Sequence, residues 1–238
     1  MVRGVLVAPP IGHHPAGAIF EDRAAAGRRL ADALLAHAGS GALVLAIPRG
    51  GVPVAAVVAA RLDAVLDVLV VRKIGAPHQS ELAIGAVTST GVTVLNDDLI
   101  RQIDVPAAYV RSETDRQRQE ADVRETRLRE GRSPLDCRDR LVILVDDGLA
   151  TGATMRAAVR AVRLAHARSV IAAVPVGSAE ACADIAAEGA EVVCLQTPEP
   201  FFSVGGYYER FDQVSDEEAA RLLRGTQRAL PVALTSRS

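Results

Sequence analysis

The sequence predicts an α/β fold: an open, mostly parallel sheet with helices on both faces. Two observations carry this. Short continuous apolar runs at residues 42–47 and 141–145, with a further run at 65–71 interrupted by Asp67, are bounded by turn residues, which suits strands covered on both faces. Stretches with helical apolar spacing alternate with them, and β and α elements alternating at this length wind into a parallel sheet.

Taken in order, residues 1–18 carry Pro9, Pro10, Gly12, Pro15 and Gly17 and read as a mobile leader. His13 and His14 lack a third ligand for a metal. A helix over 21–37 places Ala26, Leu30, Ala33 and Leu34 on one face and is stopped by Gly39-Ser40-Gly41. The strand at 42–47 ends at Pro48, a helix follows over 54–61, and a strand over 65–71. Residues 73–80, with Gly75 and Pro77, read as a polar loop, and 84–88 with 92–95 as a hairpin around Ser89-Thr90-Gly91. The charged stretch 109–130 reads as a helix with a solvated face laced by i,i+4 pairs. A second succession runs through a strand at 141–145, a helix at 154–165, a strand at 170–175, a helix at 179–187 and a strand at 191–195. Aromatic residues gather at 197–214, and a last helix at 216–223 leads into a tail. The expected organisation is therefore a leader (1–18), one domain (19–224) and a tail (225–238).

Composition narrows the function. Lys and Arg total 27 against 29 Asp and Glu, so the footprint of a general nucleic-acid binder is missing. A hydrophobic share of 49% excludes a wholly disordered chain. No apolar run approaches the roughly 18 to 20 residues of a membrane span, and 5–10 is too short and proline-rich for a secretory signal. Cys137, Cys182 and Cys194 form no CxxC pair, so neither a disulfide framework nor a zinc site is expected. They read as small buried hydrophobes in a protein of the reducing cytoplasm.

The chemistry concentrates in one run. The apolar strand at 141–145 leads into Asp146-Asp147-Gly148-Leu149-Ala150-Thr151-Gly152-Ala153-Thr154 and then a helix. Ligands of open parallel sheets bind beyond the carboxyl ends of strands, where this turn lies. Backbone N–H groups and two hydroxyls at a helix start make an anion cradle. Two carboxylates beside such a cradle repel its ligand unless they hold sugar hydroxyls or Mg²⁺. The bland alternative is a Thr-Gly-x-Thr helix cap.

This run resembles the phosphoribosyl-pyrophosphate (PRPP) motif of the type I phosphoribosyltransferases. The resemblance implies that Asp146 and Asp147 hold the ribose 2- and 3-hydroxyls and Mg²⁺, and that Ala150, Thr151, Gly152, Ala153 and Thr154 grip the 5-phosphate. It implies a pyrophosphate loop at Pro48-Arg49-Gly50-Gly51, with a cis peptide at Arg49–Gly50, and a basic pair at Arg72-Lys73. A flexible loop would start at 73–83 with Glu81 as its acid/base candidate, and a small hood would be built mainly from 197–212. There the aromatics either stack on a base or seal the sheet edge, as expected for Phe201 and Phe202. Arg23 either serves the site or belongs to a charge cluster at a helix start.

Where oxopurine-type members carry an Asp, this chain has Ala150. The runs Phe20-Glu-Asp-Arg, Ile47-Pro-Arg-Gly-Gly, Arg72-Lys-Ile-Gly-Ala-Pro and Glu81-Leu-Ala-Ile-Gly-Ala together resemble a bacterial phosphoribosyltransferase-like group. The implied activity is transfer of a 5-phosphoribosyl group from Mg-PRPP to a nitrogenous base. Arg49 and Lys73 would stabilise the leaving pyrophosphate with Mg²⁺. The implied partners are PRPP and a small-molecule base, with a homodimer admitted. The alternative is a PRPP- or nucleotide-sensing regulator on the same fold.

Overall fold

A computed structural model gives the backbone at residues 5–7 and 19–227 and the side chains at 19–80 and 82–225. In chain order the elements are β1 (Val5–Val7), α1 (Arg23–Ala33), β2 (Leu43–Ala46), α2 (Gly51–Leu62), β3 (Val65–Val68), β4 (Val71–Ala76), β5 (Gln79–Thr88), β6 (Thr93–Leu95), α3 (Asp97–Gln102), α4 (Ala107–Arg129), β7 (Leu141–Val145), α5 (Ala153–Leu164), β8 (Ser169–Val176), α6 (Ala179–Ala187), β9 (Glu191–Gln196) and α7 (Asp216–Gln227). Six strands form an all-parallel sheet in the order β1-β9-β8-β7-β2-β3, and β4-β5-β6 form a separate antiparallel sheet.

Alternation along the strands divides the core in two. Val44, Ala46, Ile143 and Val145 pack with α1, α2 and α7 on one face. Leu43, Leu45, Val142 and Leu144 pack with α5 and α6 on the other. Both faces are covered, so every residue of β2 and β7 is buried, as the continuous apolar runs require. In α2 the helix starts earlier than expected, at Gly51, because Pro53 falls in the first turn, where a missing N–H leaves no bond unmade.

Several expectations are corrected. Within the expected leader, Val5–Val7 adds an edge strand beside β9; the rest of 1–18, with His13 and His14, lies outside the described residues. The tail begins later than Gly225, since α7 continues to Gln227; residues 228–238 are outside the described part. The strand expected at 65–71 is two strands, because the chain leaves the main sheet after Val68 and restarts in the second sheet at Val71. The polar loop expected at 73–80 is instead the β4–β5 hairpin, turning at Pro77-His78 with His78 at φ 62°. Its register shifts around Gly75, where a side chain would come within 2.8 Å of the Ser80 carbonyl. That irregularity breaks the period-two pattern a strand reading needs. The helix α3 was not expected; Asn96 caps it by accepting from the Leu99 amide at 3.1 Å.

The charged helix α4 is more than a solvated face. Gln117, Glu125 and Arg129 are buried. Arg129 Nε donates to Asp67 at 2.8 Å, one terminal nitrogen pairs with Glu125, and the other donates to the Val68 carbonyl at 2.6 Å. Glu125 in turn accepts from the Val70 amide at 2.7 Å and the Ser89 hydroxyl at 2.6 Å. This network clamps the crossing between the two sheets. Among the described residues, no helix is long and apolar enough to cross a membrane.

Removing the cation would strand two buried carboxylates. Arg129→Met should cost about 3 to 5 kcal/mol, whereas Arg101→Ala, at an exposed i,i+3 pair, should stay within about 0.5 kcal/mol. Urea denaturation of both variants checks this; equal midpoints would show that the network contributes nothing.

Candidate active site

The register pairs Leu43 with Val142 and Ala46 with Val145, so β2 and β7 end at the same level. The turns beyond them, Pro48-Arg49-Gly50-Gly51 and Asp146-Asp147, are therefore neighbours. They interlock. A side chain on Gly51 would come within 2.6 Å of the Val145 carbonyl and 2.9 Å of the Asp146 Cα, and one on Gly50 would collide with the Asp147 carboxylate. Close approach, not backbone conformation, demands these glycines: Gly50 has φ −60°. The cis peptide of this turn is Pro48–Arg49, not the expected Arg49–Gly50.

The two acids sit in different surroundings. Asp146 accepts from the Asp147 amide at 2.8 Å. Burial pushes its carboxyl well above the usual range, and the neighbouring Asp147 charge adds to this. Asp147 accepts from Arg23 Nε at 2.8 Å. Burial raises it too, with the guanidinium pulling the other way. One guanidinium for two carboxylates leaves the pair under-neutralised, a setting that favours a cation or hydroxyl donors.

Loop and helix come next. The Leu149 amide donates to the Val176 carbonyl at 2.9 Å, and the Ser178 hydroxyl to the Ala150 carbonyl at 3.0 Å, which pins the loop to the end of β8. Gly152, at φ 70°, turns the chain into α5, and among the described residues no side-chain hydrogen bond caps that helix. The capping reading of Thr151 and Thr154 is thus overturned, and the first-turn N–H groups stay available to an anion.

A cavity of about 800 Å³ opens here. Its wall brings together Asp146, Thr154, Arg49, Arg72 and Lys73 with the β4–β5 hairpin and α4. Arg49 and Lys73 are exposed on it, and neither forms a salt bridge among the described residues. Arg72 is engaged instead: Nε donates to Gln117 at 2.9 Å, and a terminal nitrogen pairs with Glu120. Of Glu81, only the backbone is described, within β5. No group of three or more His, Cys, Asp or Glu side chains that could hold a metal exists among the described residues. Asp146 and Asp147 are two adjacent hard-oxygen donors, a set that would fit Mg²⁺ with its remaining positions left to water and phosphate oxygens.

The expected hood lies on the Asp147 side. The Tyr208 hydroxyl donates to the Asp147 carbonyl at 2.6 Å, and burial pushes that phenol up so that it remains a donor. Phe201 packs against the core and Tyr207, their ring centroids 5.4 Å apart, which agrees with a sealing role. Phe202 is 84% exposed and seals nothing. The role of Arg23 is not legible in the sequence, because its partners are 124 and 189 residues away.

A phosphoribosyl transferase domain profile matches residues 78–208, which takes in the acid pair and α5 but not the Arg49 turn. Rv0571c of Mycobacterium tuberculosis H37Rv, provisionally named a phosphoribosyl transferase, is 47% identical over 205 residues, covering 86% of this chain and 46% of its own. The chain spans about half the length of the curated relatives it matches. The crystal structure of TT1426 from Thermus thermophilus superposes with a TM-score of 0.73 at 44% identity, covering 86% of this chain and 97% of that one. With the profile spanning over half of its residues, the chain belongs to the phosphoribosyl transferase domain family.

Proposed function

We propose that the protein transfers a 5-phosphoribosyl group from Mg-PRPP to a nitrogen acceptor and releases pyrophosphate. One observation carries the reading: the uncapped start of α5 and the under-neutralised Asp146–Asp147 pair adjoin one turn and interlock with a second, glycine-built turn. An anion cradle, a hydroxyl acceptor and a basic turn in that order match the three parts of a sugar diphosphate ester.

In this reading the first-turn amides of α5, with the Thr151 and Thr154 hydroxyls, hold the 5-phosphate. Asp146 and Asp147 accept from the ribose hydroxyls and orient the sugar. Arg49 and Lys73 face the pyrophosphate, where cations stabilise the charge that develops as it departs. Arg72, tied to Gln117 and Glu120, shapes the wall behind Lys73. When bound, Mg²⁺ would neutralise the pyrophosphate oxygens, held by Asp146 and Asp147. The β4–β5 hairpin would close over the sugar and exclude water from its reactive carbon. Glu81 is carried as the acid/base candidate on that hairpin. A cytoplasmic setting belongs to the same reading, in which Cys137, Cys182 and Cys194 stay free thiols. The second reading, a sensor that binds PRPP without transfer, is favoured by Ala150, which offers no proton acceptor.

Calorimetric PRPP titration beside pyrophosphate release over a panel of bases separates these readings. The double variant Asp146→Asn, Asp147→Asn should lose most of its PRPP affinity and far less of its stability, since β7 and α5 stay intact and only Arg23 loses its anionic partner. Unchanged affinity in the folded variant would refute the ribose assignment.

Thr154→Val tests the cradle. The hydroxyl caps nothing, so stability should hold while PRPP binding weakens by about 1 to 3 kcal/mol. A stability loss with unaltered binding would return Thr154 to a capping role.

A further inference from the structure

Asp147 is gripped from elsewhere in the fold at both its side chain and its main chain. Arg23 donates to its carboxylate and Tyr208 to its carbonyl, at 2.8 and 2.6 Å. Arg23 is itself held at two further points. One terminal nitrogen donates to the Asp212 carbonyl at 2.7 Å, and its guanidinium carbon lies 3.8 Å from the centroid of the Phe211 ring. From Phe211 the aromatic stack continues through Tyr208 to Phe20, at centroid separations of 5.0 and 5.5 Å. The Arg23 and Asp147 side chains are only 12% and 15% exposed, so solvent does little to loosen the pair.

A charge cluster at the start of α1 does not account for this. Its acids are otherwise engaged: Asp22 caps the helix through the Ala25 amide, and Arg210 pairs with both Glu21 and Asp22. Arg23 turns away from them, across the fold, to the acid pair. Among the described residues the Asp146 carboxylate has no comparable hold: it accepts from the amide of its own neighbour, and its main chain is held by its own amide donating to the Ala173 carbonyl.

We propose that Arg23 is a positioning residue for sugar recognition: by fixing one carboxylate oxygen of Asp147 it presents the other to a ribose hydroxyl, and through Phe211 and Asp212 it makes that presentation depend on the 197–212 segment. The proposal rests on the ribose reading given above. The planar guanidinium is required, since two nitrogens serve different acceptors while the same plane stacks on a ring; an ammonium at this place satisfies one of these at most. The hood thus sets the geometry of the sugar site from behind.

The test is calorimetric titration, in Mg²⁺ buffer, with ribose 5-phosphate and its 2-deoxy and 3-deoxy analogues, and with inorganic phosphate as reference. The wild type should bind ribose 5-phosphate about tenfold or more tighter than either analogue, the worth of a hydrogen bond to a charged group. In Arg23→Met, discrimination against at least one analogue should fall below about threefold while phosphate affinity is unchanged. Arg23→Lys should restore only part of it. Phe211→Leu, which keeps Arg23 but removes its platform, should shift discrimination the same way and decides the matter if Arg23→Met does not fold. Full discrimination in a folded Arg23→Met, or in Phe211→Leu where that variant decides, overturns the proposal and leaves the ribose reading standing. A wild type that does not distinguish the three sugars overturns both.

Discussion

Two parallel strands ending level with each other, and no side chain between their turns, are what the rest of the site depends on. The pairing of Ala46 with Val145 brings the Arg49 turn against Asp146 and Asp147, and Gly50 and Gly51 allow contact that any Cβ would prevent. That register is fixed by the core. Slipping β2 by one residue would exchange the sets facing α1 and α2 with those facing α5 and α6, reversing the large and small positions on both faces. The site therefore inherits its geometry from packing on residues that never approach a ligand.

Around this centre, ionic ties set the flanks. On one side Arg129 joins Asp67 at the end of the main sheet to Glu125, which holds the Val70 amide where the hairpin begins. Arg72 and Lys73 reach the cavity wall because that crossing is held. On the other side Arg23 and Tyr208 bind Asp147 to the aromatic segment. Buried pairs of this kind contribute little net stability when complete. Their effect is geometric: each fixes where a separate stretch of chain meets the acid pair.

The parts legible in the sequence were those whose signal is local. The strand at 141–145, the turn and the start of α5 lie in one uninterrupted run, so apolar burial, paired acids and small residues could be read together. The strand β7 and helix α6 fall where their periodicity put them. What escaped depends on distant partners or on irregular backbone. The β4–β5 hairpin carries polar residues and a register shift at Gly75, so neither period fitted. Val5–Val7 pairs only because β9 offers an open edge. The burial of Glu125 and Arg129 follows from a crossing that no helical pattern encodes, and Arg23 finds Asp147 124 residues away. The cis bond fell one residue earlier than expected, at Pro48–Arg49.

A crystal structure of the protein with Mg-PRPP bound tests this account most directly. It should place the 5-phosphate on the first-turn amides of α5, the ribose hydroxyls on Asp146 and Asp147, and the pyrophosphate against the Arg49 turn and Lys73. A reversed ligand, with pyrophosphate on α5, or a sugar seated away from the acid pair, would contradict it.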